Sequence, residues 1–424
     1  MTDYYQNYSD ENRIAEVVDA LALMTETERP FTRLVFSAEY SQARAWLKSQ
    51  FEDTGLECRI DGGGNLIGVR RSTYQASHPQ KVIIGSHIDT VVAGGRFDGI
   101  AGVIAGLECV HYLNHNHIDL PFDLEIIDFL GEELNVWGTS CIGSRYMAGL
   151  LTDDLLQRVD ADGRLLGLEI EKLGGTGQPP SSSRDDADTI MACFELHIEQ
   201  SDQLEKGAVD IGIVTNITGI SRYSITVEGA AGHSGTTRMH ERQDALVAAG
   251  EITALVQDLA TGIAKRDNQH FVATIGRIEV FPNGAAVVPG EVRMILDLRA
   301  SNNHSKDAFI QRLNAGFSQI SKKRSCGVAM EKIVSAPVAK MDERLIHQLS
   351  CSADHLKLSH MKLASGAGHD MAHLSLIAPV AMVFIPCRAG LSHCPEEFTT
   401  PQAIARGSAV ITRSVIDLAG QTVL

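Results

Sequence analysis

The sequence predicts an α/β fold: a mixed, mostly parallel sheet flanked by helices, with an inserted ferredoxin-like α+β unit. Three observations carry this expectation. Short apolar runs such as "KVIIGSH" and "VAMVFIP" alternate with helix-length segments in both outer portions of the chain, as buried parallel strands require. Between them, from about 215 to 328, the rhythm becomes strand, helix, strand, strand, helix, strand, the order of the β-α-β-β-α-β unit. A chain of 424 residues also exceeds what one core normally serves, so two domains are expected from length alone. The division that follows is 1–214 and 329–424 for the first domain and 215–328 for the second.

Helical spacing of apolar residues marks 9–24 and 38–53, and "LECRIDGGGNLIGVRR" reads as a hairpin-like pair of strands. "KVIIGSH" is a buried strand, 99–114 a helix, "DLEIIDFLG" a second strand and 138–149 a helix. From 152 to 189 the chain is rich in Gly, Pro, Ser and Asp and reads as an exposed excursion without catalytic residues. "MACFELHIEQ" returns to the sheet. Strands at 221–229, 270–281, 291–299 and 327–335 then frame helices at 240–260 and 305–322, the first supported by Leu246, Ala249, Ile252, Leu255, Val256 and Leu259 at three- and four-residue spacing. A helix at 342–356, the glycine-rich "ASGAGHDMAH", the strand "VAMVFIP", the segment "LSHCPEEFT" and a helix from 401 to 419 complete the chain.

Fifty-three acidic against 37 basic side chains give a formal charge of −16, which argues against a nucleic-acid or anionic-membrane partner. Eight cysteines without a C-x-x-C pair fit a reducing, cytoplasmic compartment. The polar start "MTDYYQNYSDENR" lacks the apolar core of a signal peptide, and no segment approaches ~18 uninterrupted apolar residues, so no membrane span is expected.

Chemistry concentrates where strands end. Ligands of open α/β sheets collect at the carboxyl ends of strands, and there the sequence places His87, Asp98, Glu133, His197 and His393. Imidazole and carboxylate without cysteine suit zinc, with manganese, cobalt or nickel also compatible. Five ligands exceed what one tetrahedral ion with an open position needs, but they divide between two ions if one carboxylate bridges. Glu132 and Glu133 are adjacent at a strand end and point in different directions, so one can bind metal while the other faces a water. The plainer reading of that pair is a solvated strand terminus. His115 and His117 in "LNHNH" are assigned to a solvated loop.

Seven blocks, "GSHIDTVVAGGRFDGIAG", "EEL…GS", "FELHIEQ", "GHSGTTRM", "VVPGEVRMILDLR", "SGAGHDM" and "SHCPEEFT", occur in this order over roughly 10–420. Together they resemble the amidase, hydantoinase and carbamoylase branch of the dinuclear-zinc aminoacylase and carboxypeptidase superfamily, which includes N-carbamoyl-L-amino acid amidohydrolases, allantoate amidohydrolases and β-ureidopropionases. The resemblance implies a zinc-peptidase-like catalytic domain interrupted by a dimerisation and lid domain, hence a homodimer. It implies two divalent ions per subunit, His87 and His197 on one, Glu133 and His393 on the other, and Asp98 between them. Asp89 would orient His87. Glu132 would be the general base for a water made reactive between the ions, and His233 would meet the substrate carbonyl, often from the partner subunit. Arg299 would pair with the substrate carboxylate, while Gln200, Gly390, Leu391, Ser392 and His369 match positions near the substrate. The implied activity is hydrolysis of a C–N bond in an N-carbamoyl-L-amino acid or related ureido acid. Allantoate or ureidoglycolate hydrolysis, an aminoacylase or dipeptidase, and a metal-binding homologue without catalysis are the alternatives. His197 followed by "IEQ" favours the ureido-amidase branch over the peptidases.

Three positions depart from that pattern. Ala286 stands where the branch carries an asparagine that assists the arginine, Leu134 follows the paired glutamates where glycine is usual, and Arg238 replaces a proline. The first removes a donor from the recognition site and leaves the chemistry untouched. Leu134 adds bulk beside Glu133, and Arg238 either compensates for Ala286 or is an exposed loop residue.

Overall fold

Runs of Val, Ile and Leu bounded by polar turns build the strands of the chain. The computed structural model describes residues 4–74, 79–267 and 270–422. Its strands are β1 (Glu57–Ile60), β2 (Leu66–Arg70), β3 (Lys81–Ser86), β4 (Asp123–Asp128), β5 (Ile190–Ile198), β6 (Ile211–Ile217), β7 (Gly219–Glu228) and β8 (Gly232–His233). They continue with β9 (Phe271–Phe281), β10 (Val287–Val288), β11 (Glu291–Ala300), β12 (Gly327–Ser335), β13 (Ala339–Lys340), β14 (His360–Ser365) and β15 (Val380–Ile385).

Two units result. The first comprises Met1–Thr215, Lys340–Leu363 and His369–Leu424, and the second Asn216–Ala339 with Ala364–Gly368. The main sheet has the order β1-β2-β4-β3-β5-β15-β6-β13, with β14 beside β6. At its centre β4, β3, β5 and β15 are parallel, with Ile83 opposite Glu125 on one side and Cys193 on the other. β2 and β6 flank them antiparallel. The four parallel strands therefore end at one rim, at Ser86, Asp128, Ile198 and Ile385, and the segments that follow carry the polar residues.

Helices cover this sheet where a side-chain oxygen closes their first turn. Asp10, Ser37 and Asp342 accept from the first backbone N–H groups of Glu11–Leu23, Ala38–Asp53 and Glu343–His355. The helix Ile100–His115 is apolar almost all round and buried over most of its length. Small residues let it sit directly on the strands: a Cβ on Gly102 would lie 2.5 Å from both the Leu196 carbonyl oxygen and the Ser86 Cβ.

The second unit has the strand order β12-β7-β11-β9, all antiparallel. Buried and half-buried residues alternate along β7, so Tyr223, Ile225 and Val227 face a core shared with the helices Ala245–Asp267 and Asn303–Arg324. The helix Ala245–Arg266 is long and apolar enough to cross a membrane by composition alone. Its buried residues, among them Ala248, Ile252, Val256, Leu259 and Ile263, form one stripe in this core, which accounts for the apolarity.

Several boundaries differ from expectation. The second unit runs to Ala339, and a boundary at 328 would cut β12 away from its partner β7. The helix expected over 138–149 spans only Ile142–Met147, because Cys141 adopts a left-handed conformation and residues 135–139 form a turn. The 152–189 excursion contains the helices Asp153–Leu156 and Leu166–Lys172, with Leu156, Leu166 and Ile170 buried, and Arg184 is paired with Glu125. The helix expected from 240 starts at Ala245, where the Asp244 carboxylate accepts from Leu246 and Val247.

Two glycine replacements separate contact from propensity. Gly102→Ala crowds the backbone of β5 and should cost about 1–3 kcal/mol, whereas Gly250→Ala, with no atom within 4 Å of the added carbon, should gain about 0.5–1 kcal/mol. Thermal or urea melts of the two variants beside the parent check both signs.

Candidate metal centre

Three turns at the rim of the main sheet bring the polar residues together. His87 follows β3 directly, Glu132 and Glu133 lie shortly after the end of β4 at Asp128, and His197 is the penultimate residue of β5. Asp98 precedes Gly99, which has φ of 68° and whose Cβ would lie 2.5 Å from the His87 ring, so only glycine lets the chain pass there. His393 arrives on the segment after β15 and is itself left-handed, at φ 56°.

The Asp98 carboxylate sits at the centre. Its Oδ1 lies 2.9 Å from His197 Nε2 and 3.6 Å from His87 Nε2, and its Oδ2 lies 3.2 Å from His393 Nε2. His393 Nε2 is also 3.2 Å from Glu133 Oε1. Two groups of possible metal ligands therefore share one carboxylate: His87, Asp98 and His197, all buried, and Asp98, Glu133 and His393. The far nitrogens of two rings are already engaged, with His87 Nδ1 at 3.0 Å from the Asp89 carbonyl and His197 Nδ1 at 2.8 Å from that of Ile198. When those Nδ1 atoms carry the proton and donate, the Nε2 lone pairs face carboxylate oxygens, an arrangement that a cation between them satisfies. The residues fit a pair of metal ions.

Charge follows the same logic. Burial opposes the charged form of His87 and His197, yet their carboxylate neighbours outweigh it and raise both imidazoles. Contacts with Asp98 and Glu133 push His393 up to about 11. Burial works against the Asp98 charge too, but His197, His393 and His87 hold the carboxyl well below its usual range. Burial raises Glu132 well above the usual carboxylate range, with Glu133, Asp370 and Asp89 adding to it against the pull of His87. The cluster demands positive charge at its centre and leaves Glu132 suited to hold a proton.

Asp89 braces the cluster from behind. Its Oδ1 accepts from Glu132 N at 3.2 Å and its Oδ2 from Glu133 N at 3.1 Å, while Oδ1 lies 3.5 Å from His87 Nδ1. One side chain thus ties the ends of two neighbouring strands. Gln200 donates to Asp98 Oδ2 at 2.8 Å and to Ser392 Oγ at 3.2 Å, and Ser392 Oγ lies 3.0 Å from Asp98 Oδ2. Gly390 and Leu391 lead into that serine, and the His369 ring packs edge-on against His197 at 4.6 Å between centroids.

Residues not expected from the sequence complete the support. Glu397 accepts from the backbone N–H of Phe97 and Asp98 at 2.9 and 3.1 Å and from Ser392 Oγ at 2.8 Å, so it fixes the loop bearing Asp98. Glu195 accepts from Ser86 at 2.7 Å and falls in a third possible ligand group with His197 and His369. Strand alternation was the available signal: positions 195 and 197 share a face of β5. Asp370, which accepts from Ser144 at 2.5 Å, is pushed up to about 8 by burial and by Glu195. Glu397 and Asp370 lie within the blocks "SHCPEEFT" and "SGAGHDM", but the backbone of Phe97 and Asp98 and the Ser144 hydroxyl that they meet are distant in sequence.

In the second unit, His233 is exposed, its Nδ1 accepting from Gly235 N at 3.1 Å, and Ala286 is next to it, its carbonyl accepting from Ser234 N at 2.9 Å. Arg299 is held by Asp297 at 3.1 Å and by the Gly366 carbonyl at 3.1 Å. Of the two readings of Arg238, the exposed one fits: its side chain is 73% exposed and lies 3.6 Å from Glu241.

The chain is 36% identical over 388 residues to an N-carbamoyl-L-amino-acid amidohydrolase of Pseudomonas sp. strain NS671, covering 91% of this chain and 92% of that one. It is 32% identical over 417 residues to the allantoate amidohydrolase of Bacillus subtilis, covering 98% and 99%. Among solved structures, a hydantoinase/carbamoylase family amidase from Burkholderia multivorans superposes with a TM-score of 0.87 at 30% identity, over 97% of this chain and 98% of that one. Residues 83–417, which contain every side chain of the cluster, match the model of peptidase family M20/M25/M40, and the chain belongs to that family.

Proposed function

We propose that the protein is a metal-dependent hydrolase of linear amides that cleaves the C–N bond of an N-carbamoyl-L-amino acid or a related ureido acid. The observation that carries this is the Asp98 carboxylate, which turns one oxygen to His87 and His197 and the other to His393. The named relatives, amidohydrolases of N-carbamoyl-L-amino acids and of allantoate, support the reaction class.

In this reading His87 and His197 would hold one ion and Glu133 and His393 the other, with Asp98 serving both. Zinc suits the imidazole and carboxylate set best, with manganese, cobalt and nickel as the other candidates. When bound, such ions supply Lewis acidity and make a nearby water acidic enough to react at neutral pH. Glu132, adjacent to Glu133 after β4, would take the water's proton and pass it on to the departing nitrogen. Asp89 keeps His87 in the tautomer with Nε2 free. The resemblance assigns His233 to the oxyanion and Arg299 to the substrate carboxylate. Ala286 beside the His233 turn removes one polar contact to that carboxylate.

The second unit also pairs two subunits. β9 is the edge of its sheet, and on it Val272, Ile278 and Phe281 are between 42 and 50% exposed alongside the ion pair Arg277–Glu279, a mixed surface that a second copy would cover. Light scattering on the purified protein should return twice 45.9 kDa; a monomer that turns over substrate would remove this part of the reading.

Two further measurements test the chemistry. Chelation should abolish turnover of a panel of N-carbamoyl amino acids, allantoate, ureidoglycolate and N-acyl amino acids, followed by ammonia release for the ureido compounds and by free amine for the N-acyl ones, and adding back zinc, manganese or cobalt should restore it. Release that survives chelation, or cleavage of N-acyl compounds alone, would refute the assignment. Glu132→Gln should keep its metal content and lose about 10²–10⁴-fold in kcat; unchanged turnover would assign the base elsewhere.

A further inference from the structure

Beside Glu133 the first unit has a cavity of about 450 Å³, within the ~300–1,000 Å³ usual for small-molecule sites. Its walls are the loops that follow β3 and β4 together with residues 34–37, and Asp89 and Glu133 line it along with a mostly apolar set. Three of these, Val92, Leu134 and Val136, are 46, 63 and 59% exposed. Single exposed apolar residues need no explanation, but several around one concave mouth mark a binding surface.

The wall behind them is rigid. Trp137 is buried, donates from Nε1 to the Arg164 carbonyl at 2.8 Å, and meets the Phe36 ring edge-on at 5.3 Å. Its backbone N–H is held by Asn135 Oδ1 at 3.1 Å, inside a turn closed from Asn135 to Thr139. The charges in the lining are already engaged. Arg164 pairs with Asp160 at 2.6 Å and lies over the indole at 5.3 Å, Asp89 holds the two glutamate N–H groups, and Glu133 faces His393. The remaining surface suits a hydrocarbon group and offers no free cation for a second carboxylate.

We propose that this cavity receives the apolar side chain of the substrate, so that the preferred substrates are N-carbamoyl amino acids with branched aliphatic or aromatic side chains, not polar ureido acids such as allantoate. This rests on the proposed function, because it is the reacting bond beside Glu132 and Glu133 that brings the substituent to the cavity mouth. Leu134, which departs from the pattern of related sequences, is then a specificity-determining residue.

The test is a comparison of kcat/KM for N-carbamoyl-L-leucine, N-carbamoyl-L-phenylalanine, N-carbamoylglycine and allantoate. The parent enzyme should favour the first two over the others by at least about tenfold, as one or more buried methylenes provide. Leu134→Gly combined with Val136→Ser should cut that preference by about tenfold, and Leu134→Trp, which fills the mouth, should lower leucine and phenylalanine turnover more than glycine turnover. These positions are exposed, so folding is not at stake. Equal rates across the panel, a preference for allantoate, or variants that scale all substrates by one factor would overturn the proposal. A second readout is independent of turnover. Trp46→Phe leaves Trp137 as the sole indole, and 4-methylpentanoate should shift its emission saturably where acetate does not. A shift without hydrolysis of any ureido compound would keep the apolar cavity and remove the assigned reaction; hydrolysis without preference or shift would do the reverse.

Discussion

A single carboxylate with two differently occupied oxygens organises this protein's polar rim. Asp98 is buried, and three imidazoles and a glutamate converge on it. Burying that much charge without compensation is prohibitive, so the neighbouring structure exists largely to supply partners. Glu397 holds the backbone of the loop, Gln200 and His393 approach one oxygen, and the His87 and His197 rings approach the other.

The sheet makes this possible because parallel strands finish together. Four strands delivering their last residues to one edge put groups from positions 87, 132, 133 and 197 within reach, although more than a hundred residues separate the first from the last. Asp89 turns that proximity into fixed geometry by accepting from consecutive N–H groups on the neighbouring loop while orienting His87. The tight seat of the helix Ile100–His115 against β3 and β5 fixes the other side, since Gly102 leaves no slack above Ser86. Rigid walls extend into the adjoining loops, where Trp137 anchors a turn whose exposed aliphatic residues face the cavity.

Much of the centre was legible residue by residue. His87, Asp98, Glu133, His197 and His393 stand at or near strand ends in the sequence, and the structure brings all five together. Glu195 was within reach of the same reasoning through strand alternation but was passed over beside His197. Glu397 and Asp370 were not legible, because their partners lie about 300 and 226 residues away and a buried carboxylate that fixes a backbone has no spacing of its own. The 152–189 segment misled for the converse reason: its polar composition suggests solvent, while Leu156, Leu166 and Ile170 within it find buried positions that composition does not reveal.

By itself the sequence determined most element types and the β-α-β-β-α-β insertion through local periodicity, and the family pattern and the candidate ligands through short blocks in a fixed order. The end of the second unit at Ala339, the shortened helix at Ile142–Met147 and the apolar cavity beside Glu133 were decided by tertiary structure. The physical reason is that pairing, burial and enclosure are properties of surfaces brought together from distant segments, and a one-dimensional pattern records only what each segment contributes to them.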